Sequence, residues 1–116
     1  MVDRIAQLVV LGTGTSLSPA ADLLGYDFVA VAMSGGWAAA DITFQTSRDG
    51  IQFHDVYDDA PTPVEVALGA GAFSWVQIPS TLFRQFGRFV KIRSGTSGTP
   101  VTQFDNRRLY AIGRSD

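Results

Sequence analysis

The chain has 116 residues, a formal net charge of −2, 46% hydrophobic and 17% charged residues, and no cysteine. That is enough apolar material for one core and too little charge for a disordered segment. Disulfides, thiolate metal sites, iron–sulfur clusters and thiol catalysis are excluded, and the acidic balance argues against nucleic acid or an anionic membrane as the main partner.

Ten of the eleven acids are Asp and eight of the nine bases are Arg. Glu and Lys suit exposed helix, whereas Asp favours turns because its short side chain bonds nearby backbone. With twelve Gly and five Pro to supply turns, the composition points to an all-β domain. The first residues combine Asp3, Arg4 and Gln7 with short apolar runs, which is not the pattern of a secretory leader. No stretch reaches the ~18 apolar residues of a membrane helix.

Taken in order, residues 5–11 read as a strand ended by Gly12-Thr13-Gly14-Thr15-Ser16. Ser18-Pro19 then has the form of an N-cap with proline at the first helical position, which predicts a short helical turn over residues 19–24. Residues 28–33 form a compact apolar strand. Residues 41–47 alternate, with Ile42 and Phe44 on one face and Thr43 and Gln45 on the other. Arg48-Asp49-Gly50 is a tight turn, and residues 51–57 run back as the second arm of a hairpin. Strands are expected at 64–68 and 72–78, with Val76 and Ile78 opposite Trp75 and Gln77. A helical turn over 79–86 precedes strands at 88–94 and 107–114, which flank the small-residue loop 95–100. The sum is one domain over 1–116, an antiparallel β-sandwich or jelly roll of about eight strands with one or two helical turns. Ile42, Phe44, Val76, Ile78, Val90 and Ile92 are expected to face inward.

The motifs that could carry chemistry are thin. Gly12-Thr13-Gly14 follows a strand, but Leu17 stands where a dinucleotide fingerprint needs its third small residue, so a strand-end loop explains it. His54 lies mid-strand, and its neighbour Asp55 points to the opposite face. With one His and no nucleophile elbow there is no hydrolytic triad, and no metal or cofactor is called for. Asp49, Asp55, Asp58 and Asp59 could supply oxygens to calcium, but the twelve-residue calcium-loop signature is missing and such acids are common at hairpin ends. A glycosidase pair cannot be read from their spacing. Catalysis is therefore not expected.

Arg84, Arg88, Arg93, Arg107 and Arg108 bias the last third, interleaved with Phe83, Phe86, Phe89, Phe104 and Tyr110. Such a mixture can bind single-stranded nucleic acid, but the negative net charge turns the reading to protein interfaces or internal ion pairs, where Arg is favoured over Lys. Tyr26, Trp37, Arg93, Phe104 and Arg107 are the candidate ligand or interface residues. Tyr26 and Trp37 are the candidates for stacking on a sugar, with a core plug beside the hairpin as the other reading of Trp37.

Two segments carry a family resemblance. Residues 37–50, ending in Ser47-Arg48-Asp49-Gly50 and followed by Phe53 and Tyr57, resemble the strand–turn–strand hairpin of galactose-binding-like (discoidin-type) jelly rolls. Phe89-Val90-Lys91-Ile92-Arg93-Ser94 and Arg107-Arg108-Leu109-Tyr110 resemble that family's last two strands. Together with Leu82-Phe83, Gly87-Arg88, Gly95-Thr96, Pro100-Val101 and Gln103, the chain is similar to small virion accessory proteins of tailed phages and gene-transfer-agent-like particles over residues 18–114. The resemblance implies a non-enzymatic virion component: a capsid decoration or cement protein, a head spike, or a tail-fibre adaptor, assembled in the cytoplasm of the host bacterium. Its expected partners are the major capsid protein or other virion proteins and further copies of itself, with bacterial surface glycan as the alternative ligand.

Overall fold

The computed structural model of the chain describes residues 3–115; the side chain of Arg84, one of the arginines of the last third, lies outside the described residues. Eight strands, β1 (Asp3–Leu11), β2 (Ala21–Asp22), β3 (Asp27–Met33), β4 (Ile42–Ser47), β5 (His54–Asp55), β6 (Trp75–Gln77), β7 (Phe89–Ser94) and β8 (Arg107–Ser115), form two four-stranded sheets, and one 3₁₀ turn spans Ser80–Gln85. The first sheet, sheet A, has the order β1-β8-β3-β6; the second, sheet B, has the order β2-β7-β4-β5. Every described pairing between strands is antiparallel. The chain changes sheet at each connection between consecutive strands except the β4–β5 hairpin. The all-β sandwich expected from composition is the observed architecture.

The two sheets bury one hydrophobic cluster. Ile42, Phe44, Val76, Ile78, Val90 and Ile92 are each 7% exposed or less, inward as their alternation requires. Phe28 from sheet A, Phe44 from sheet B and Phe86 from the exit of the 3₁₀ turn meet edge to face, with centroids 4.9–5.5 Å apart. Each such pair adds roughly 0.5–1.5 kcal/mol beyond the area it buries. This trio ties the two layers to the 3₁₀ turn.

Local sequence signals fail at four places. Residues 19–24 are not helical: Ala21 and Asp22 pair with Val90 and Phe89. Ser18 caps no helix; its N–H donates to Ile92 O at 2.9 Å, and its hydroxyl accepts the Ile92 N–H at 2.9 Å. The exposed backbone of β7 offered more hydrogen bonds than one isolated turn could. The return arm of the hairpin is shorter than residues 51–57, because the Asp49 carboxylate accepts the N–H groups of Ile51 and Gln52 and holds both in the turn. Gly50 completes it at φ 78°, a conformation that costs glycine little. Residues 64–68 contribute isolated bridges, Glu65 to Tyr57 and Leu68 to Ile42. Finally, Phe73 sits at φ 60° in a turn closed by the Ser74 N–H on Gly71 O, so the strand expected over 72–78 begins only at Trp75.

Candidate interaction face

Period-2 geometry puts Arg4, Ala6, Leu8 and Val10 of β1 on the outer face of sheet A, because Ile5, Val9 and Leu11 belong to the core side. The registers carry this assignment across the sheet. Leu8 faces Tyr110, Tyr110 faces Ala32, and Ala32 faces Trp75. One apolar row therefore crosses all four strands. The neighbouring row runs Ala6, Ile112, Ala30, Gln77. Trp75 is 58% exposed, Leu8 48%, Tyr110 40% and Val10 39%.

Outer faces of antiparallel sandwiches are normally polar wherever water touches them. Here both faces of sheet A are apolar at their centre, and charge stands at the rim. Arg108 lies opposite Val10 at one end, and Arg4 lies opposite Arg114 at the other. Asp27 also stands opposite Arg114 on this face. Between the rim and Trp75 opens a shallow cleft of about 320 Å³, with Arg4, Trp75, Gln77, Phe83, Ile112 and Arg114 in its walls. Aromatic and arginine side chains are the types enriched where protein surfaces bury one another.

The outer face of sheet B is built the other way. Thr43, Gln45, Lys91 and Arg93 point outward from β4 and β7, and side chains from residues 53–65 close around them. The Arg93 guanidinium donates to Asp55 Oδ1 at 2.8 Å and to Glu65 Oε2 at 3.3 Å, with only 9% of its side chain exposed. Glu65 also accepts the Ser97 N–H at 3.1 Å, and Thr43 donates to Gly95 O at 2.8 Å. Lys91 lies over the Phe53 ring, 4.2 Å from its centroid. These charges are spent inside the fold.

Of the residues singled out in the sequence, Arg93 is thus an internal ion-pair centre. Trp37 is 7% exposed and part of the core, with its indole N–H donating to Ala40 O at 3.1 Å. It presents no stacking surface to solvent and fills the core-plug role. Arg107 donates from Nε to Gln103 Oε1 at 3.2 Å and lies against Gly36, its Nη1 standing 2.8 Å from where a Cβ would be. Gln103, 1% exposed, also accepts the Ala38 N–H and donates to Ser94 Oγ. This one amide joins the Trp37 loop, β7 and Arg107. Phe104 beside it is 83% exposed. Tyr26 is half-buried at the opposite end of β3, its Cβ against Gly113. The five residues do not form one site. Trp75, Tyr110 and Leu8, which do share a surface, were not legible as a group, because the row they form draws on four separate segments.

The acids do not converge either. Asp55 is held by Arg93, Asp58 accepts the N–H groups of Ala60 and Val64, and Asp49 serves its own turn. Among the described residues no group of three His, Asp or Glu side chains is placed to hold a metal ion. Three donors, the N–H groups of Ile51 and Gln52 and the Ser47 hydroxyl, lower the Asp49 carboxyl from its ordinary 3.8 to about 2. The Arg88 guanidinium, 2.7 Å from Asp22, together with the Leu24 N–H, holds the Asp22 carboxyl below its ordinary value. Both are turn and edge fastenings. A cleft of about 360 Å³ beside Asp49 has Thr46, Ser47, Gln52, His54 and Gln85 in its walls, and the two hydroxyls donate to Phe89 O and Asp49 Oδ1. Comparison with models of known protein families, with curated proteins and with solved structures gives no significant match to this chain.

Proposed function

We propose that the protein is a non-enzymatic structural component of a phage-like particle that docks onto another virion protein through the outer face of sheet A. One observation carries the docking part: an uncovered sheet face with Leu8, Val10, Tyr110 and Trp75 at its centre and arginines at its rim. Burying such a face removes apolar area from water at about 25 cal/mol per Å². The arginines suit a partner whose rim is acidic. The particle assignment draws on the sequence resemblance to virion accessory proteins, and a capsid surface offers many equivalent copies over which weak contacts multiply. Assembly in the host cytoplasm, beside the major capsid protein, belongs to the same reading.

The test is to purify the chain and measure its binding to emptied or stripped particles. Wild-type protein is expected to bind, and a Trp75→Ser, Tyr110→Ser double variant to lose binding while keeping its circular-dichroism spectrum. Equal binding by the variant would remove this face from the proposal. A second reading, recognition of bacterial surface polysaccharide, is favoured by a specific geometry. Trp75 and Tyr110 stand two strands apart, roughly 9.5 Å, with Gln77 beside them to hydrogen-bond hydroxyls. Under that reading the same double variant loses binding to purified polysaccharide and not to stripped particles.

A further inference from the structure

A two-sheet sandwich has four edges, and three of them here are blunt. β2 and β5 have two residues each, and β6 has three, followed at once by Ile78 and Pro79. The fourth edge, β1, has nine. It pairs with β8 without a break in register from Asp3↔Ser115 to Leu11↔Arg107. Among the described residues its other side makes no backbone hydrogen bond. Sheet edges left open to solvent are usually guarded by Lys, Pro, a bulge or shortness, since unpaired N–H and C=O groups template a further strand. The sequence Asp-Arg-Ile-Ala-Gln-Leu-Val-Val-Leu contains no Lys, Pro or Gly. β1 is long and paired on one side only, with its charges confined to Asp3 and Arg4 at its start and β2 of the other sheet beside it.

We propose that β1 pairs edge to edge, antiparallel, with β1 of a second copy about a two-fold axis, joining the two four-stranded A sheets into one of eight strands. An edge that pairs with itself must be self-complementary, and the residue order meets that condition. A two-fold axis normal to the sheet keeps core side against core side, which requires partners of like parity. The register centred on Gln7 uses all nine residues. It sets Leu8 opposite Ala6 of the second copy, Val9 opposite Ile5, Val10 opposite Arg4 and Leu11 opposite Asp3. No like charges stand directly opposite, the arrangement that would weaken a cross-strand pair. Asp3 shares its row with Arg107 of the second copy, across Leu11. Arg4 shares the next with Arg108, separated by Val10, and both reach solvent. The outer docking faces of the two copies become one surface. The inference stands on the edge alone and does not depend on what that surface binds.

The chain has no cysteine, so a single introduced thiol reports position cleanly. In the register above, Gln7 meets itself at the axis, where opposed Cα atoms are about 4.5–5.5 Å apart, within disulfide range. Gln7→Cys is expected to give a disulfide-linked dimer under mild oxidation, and Ser80→Cys, exposed on the 3₁₀ turn, is expected to form no disulfide-linked dimer. Sedimentation equilibrium of the unmodified chain should approach twice its 12.5 kDa at high concentration. A strict monomer, or a dimer in which Gln7→Cys folds and fails to cross-link, overturns the proposal. So does protection of β1 amides from hydrogen exchange only when another virion protein is added, which would assign the edge to a foreign strand. The Trp75→Ser, Tyr110→Ser variant should still dimerise, so failure of the docking reading and failure of edge pairing are separable.

Discussion

The two outer faces of this sandwich are made from the same period-2 alternation and reach opposite ends. On sheet B the outward residues are polar or charged, and the chain folds back to satisfy them: Arg93 is enclosed by Asp55 and Glu65. On sheet A the outward residues at the centre are apolar, and among the described residues no segment covers the row from Leu8 to Trp75. A buried ion pair in a small domain is a cost that packing must offset, and an exposed apolar row is a liability for a free monomer. The first is explained inside the molecule. The second has no counterpart inside the described residues, and the proposed docking would supply one. The contrast teaches that outward polarity does not locate function here; what matters is whether the fold has already used each group.

The largest effect expected from breaking that contrast is on sheet B. Arg93→Ala leaves Asp55 and Glu65 facing each other without their cation, and removing one partner of a buried pair typically costs 3–5 kcal/mol. Because Asp55 keeps 30% of its side chain in water, the lower end, about 3 kcal/mol, is expected. Thermal denaturation should show a fall of roughly 10 °C or more, at ~4 °C per kcal/mol for a chain of this length. A fall under about 3 °C would mean the cluster is a surface ornament. Glu65→Gln sharpens the point: its amide oxygen can still accept the Ser97 N–H, while the charge facing Arg93 is lost. It should cost about 1 kcal/mol, visible as a shift in the urea midpoint without a change of slope.

Sheet A should behave in the opposite sense. Trp75→Ser alone is expected to move stability by no more than about 0.5 kcal/mol, because it lies on the short edge strand and is 58% exposed, and Tyr110→Ser, 40% exposed on a central strand, by about 1 kcal/mol. The same pair should nevertheless abolish docking. A large loss of stability from either single change would show that the row is buttressing the fold.

The smallest effect concerns acid. The Asp49 carboxyl is lowered to about 2 in the folded protein from 3.8. Its folded value is depressed, so its contribution is fully present above pH 3.8 and is lost as pH falls through about 2. Asp49→Asn should therefore flatten the stability curve between about pH 4 and 2 and leave its neutral region nearly level. Denaturant titrations at a series of pH values measure this directly. The same slope in the variant would assign the acid sensitivity to other carboxylates, Asp22 with its Arg88 partner first.

How much of this was legible beforehand depends on the range of the interactions involved. Long apolar or alternating segments such as residues 5–11, 28–33 and 107–114 announced their strands, because six to eight residues of one pattern outweigh local competition. Residues 19–24 and 51–57 did not, since each was decided by one side chain: Ser18 bonding to β7, and Asp49 holding Ile51 and Gln52 in the turn. Trp37 could be read as surface or core from its neighbours alone, and only the Ala40 carbonyl and the packed sheets place it inside.

The amino-acid sequence by itself determined the fold class, the turn at Arg48-Asp49-Gly50 and the inward faces of the strands, because composition, turn chemistry and period-2 patterning are local properties. The tertiary structure decided which strands became neighbours. It turned Arg93 into an internal anchor, brought Leu8, Tyr110, Ala32 and Trp75 into one row, and left β1 as the single long edge among the described strands. Strand order and register are set by contacts between residues far apart in the chain, and no local pattern encodes them.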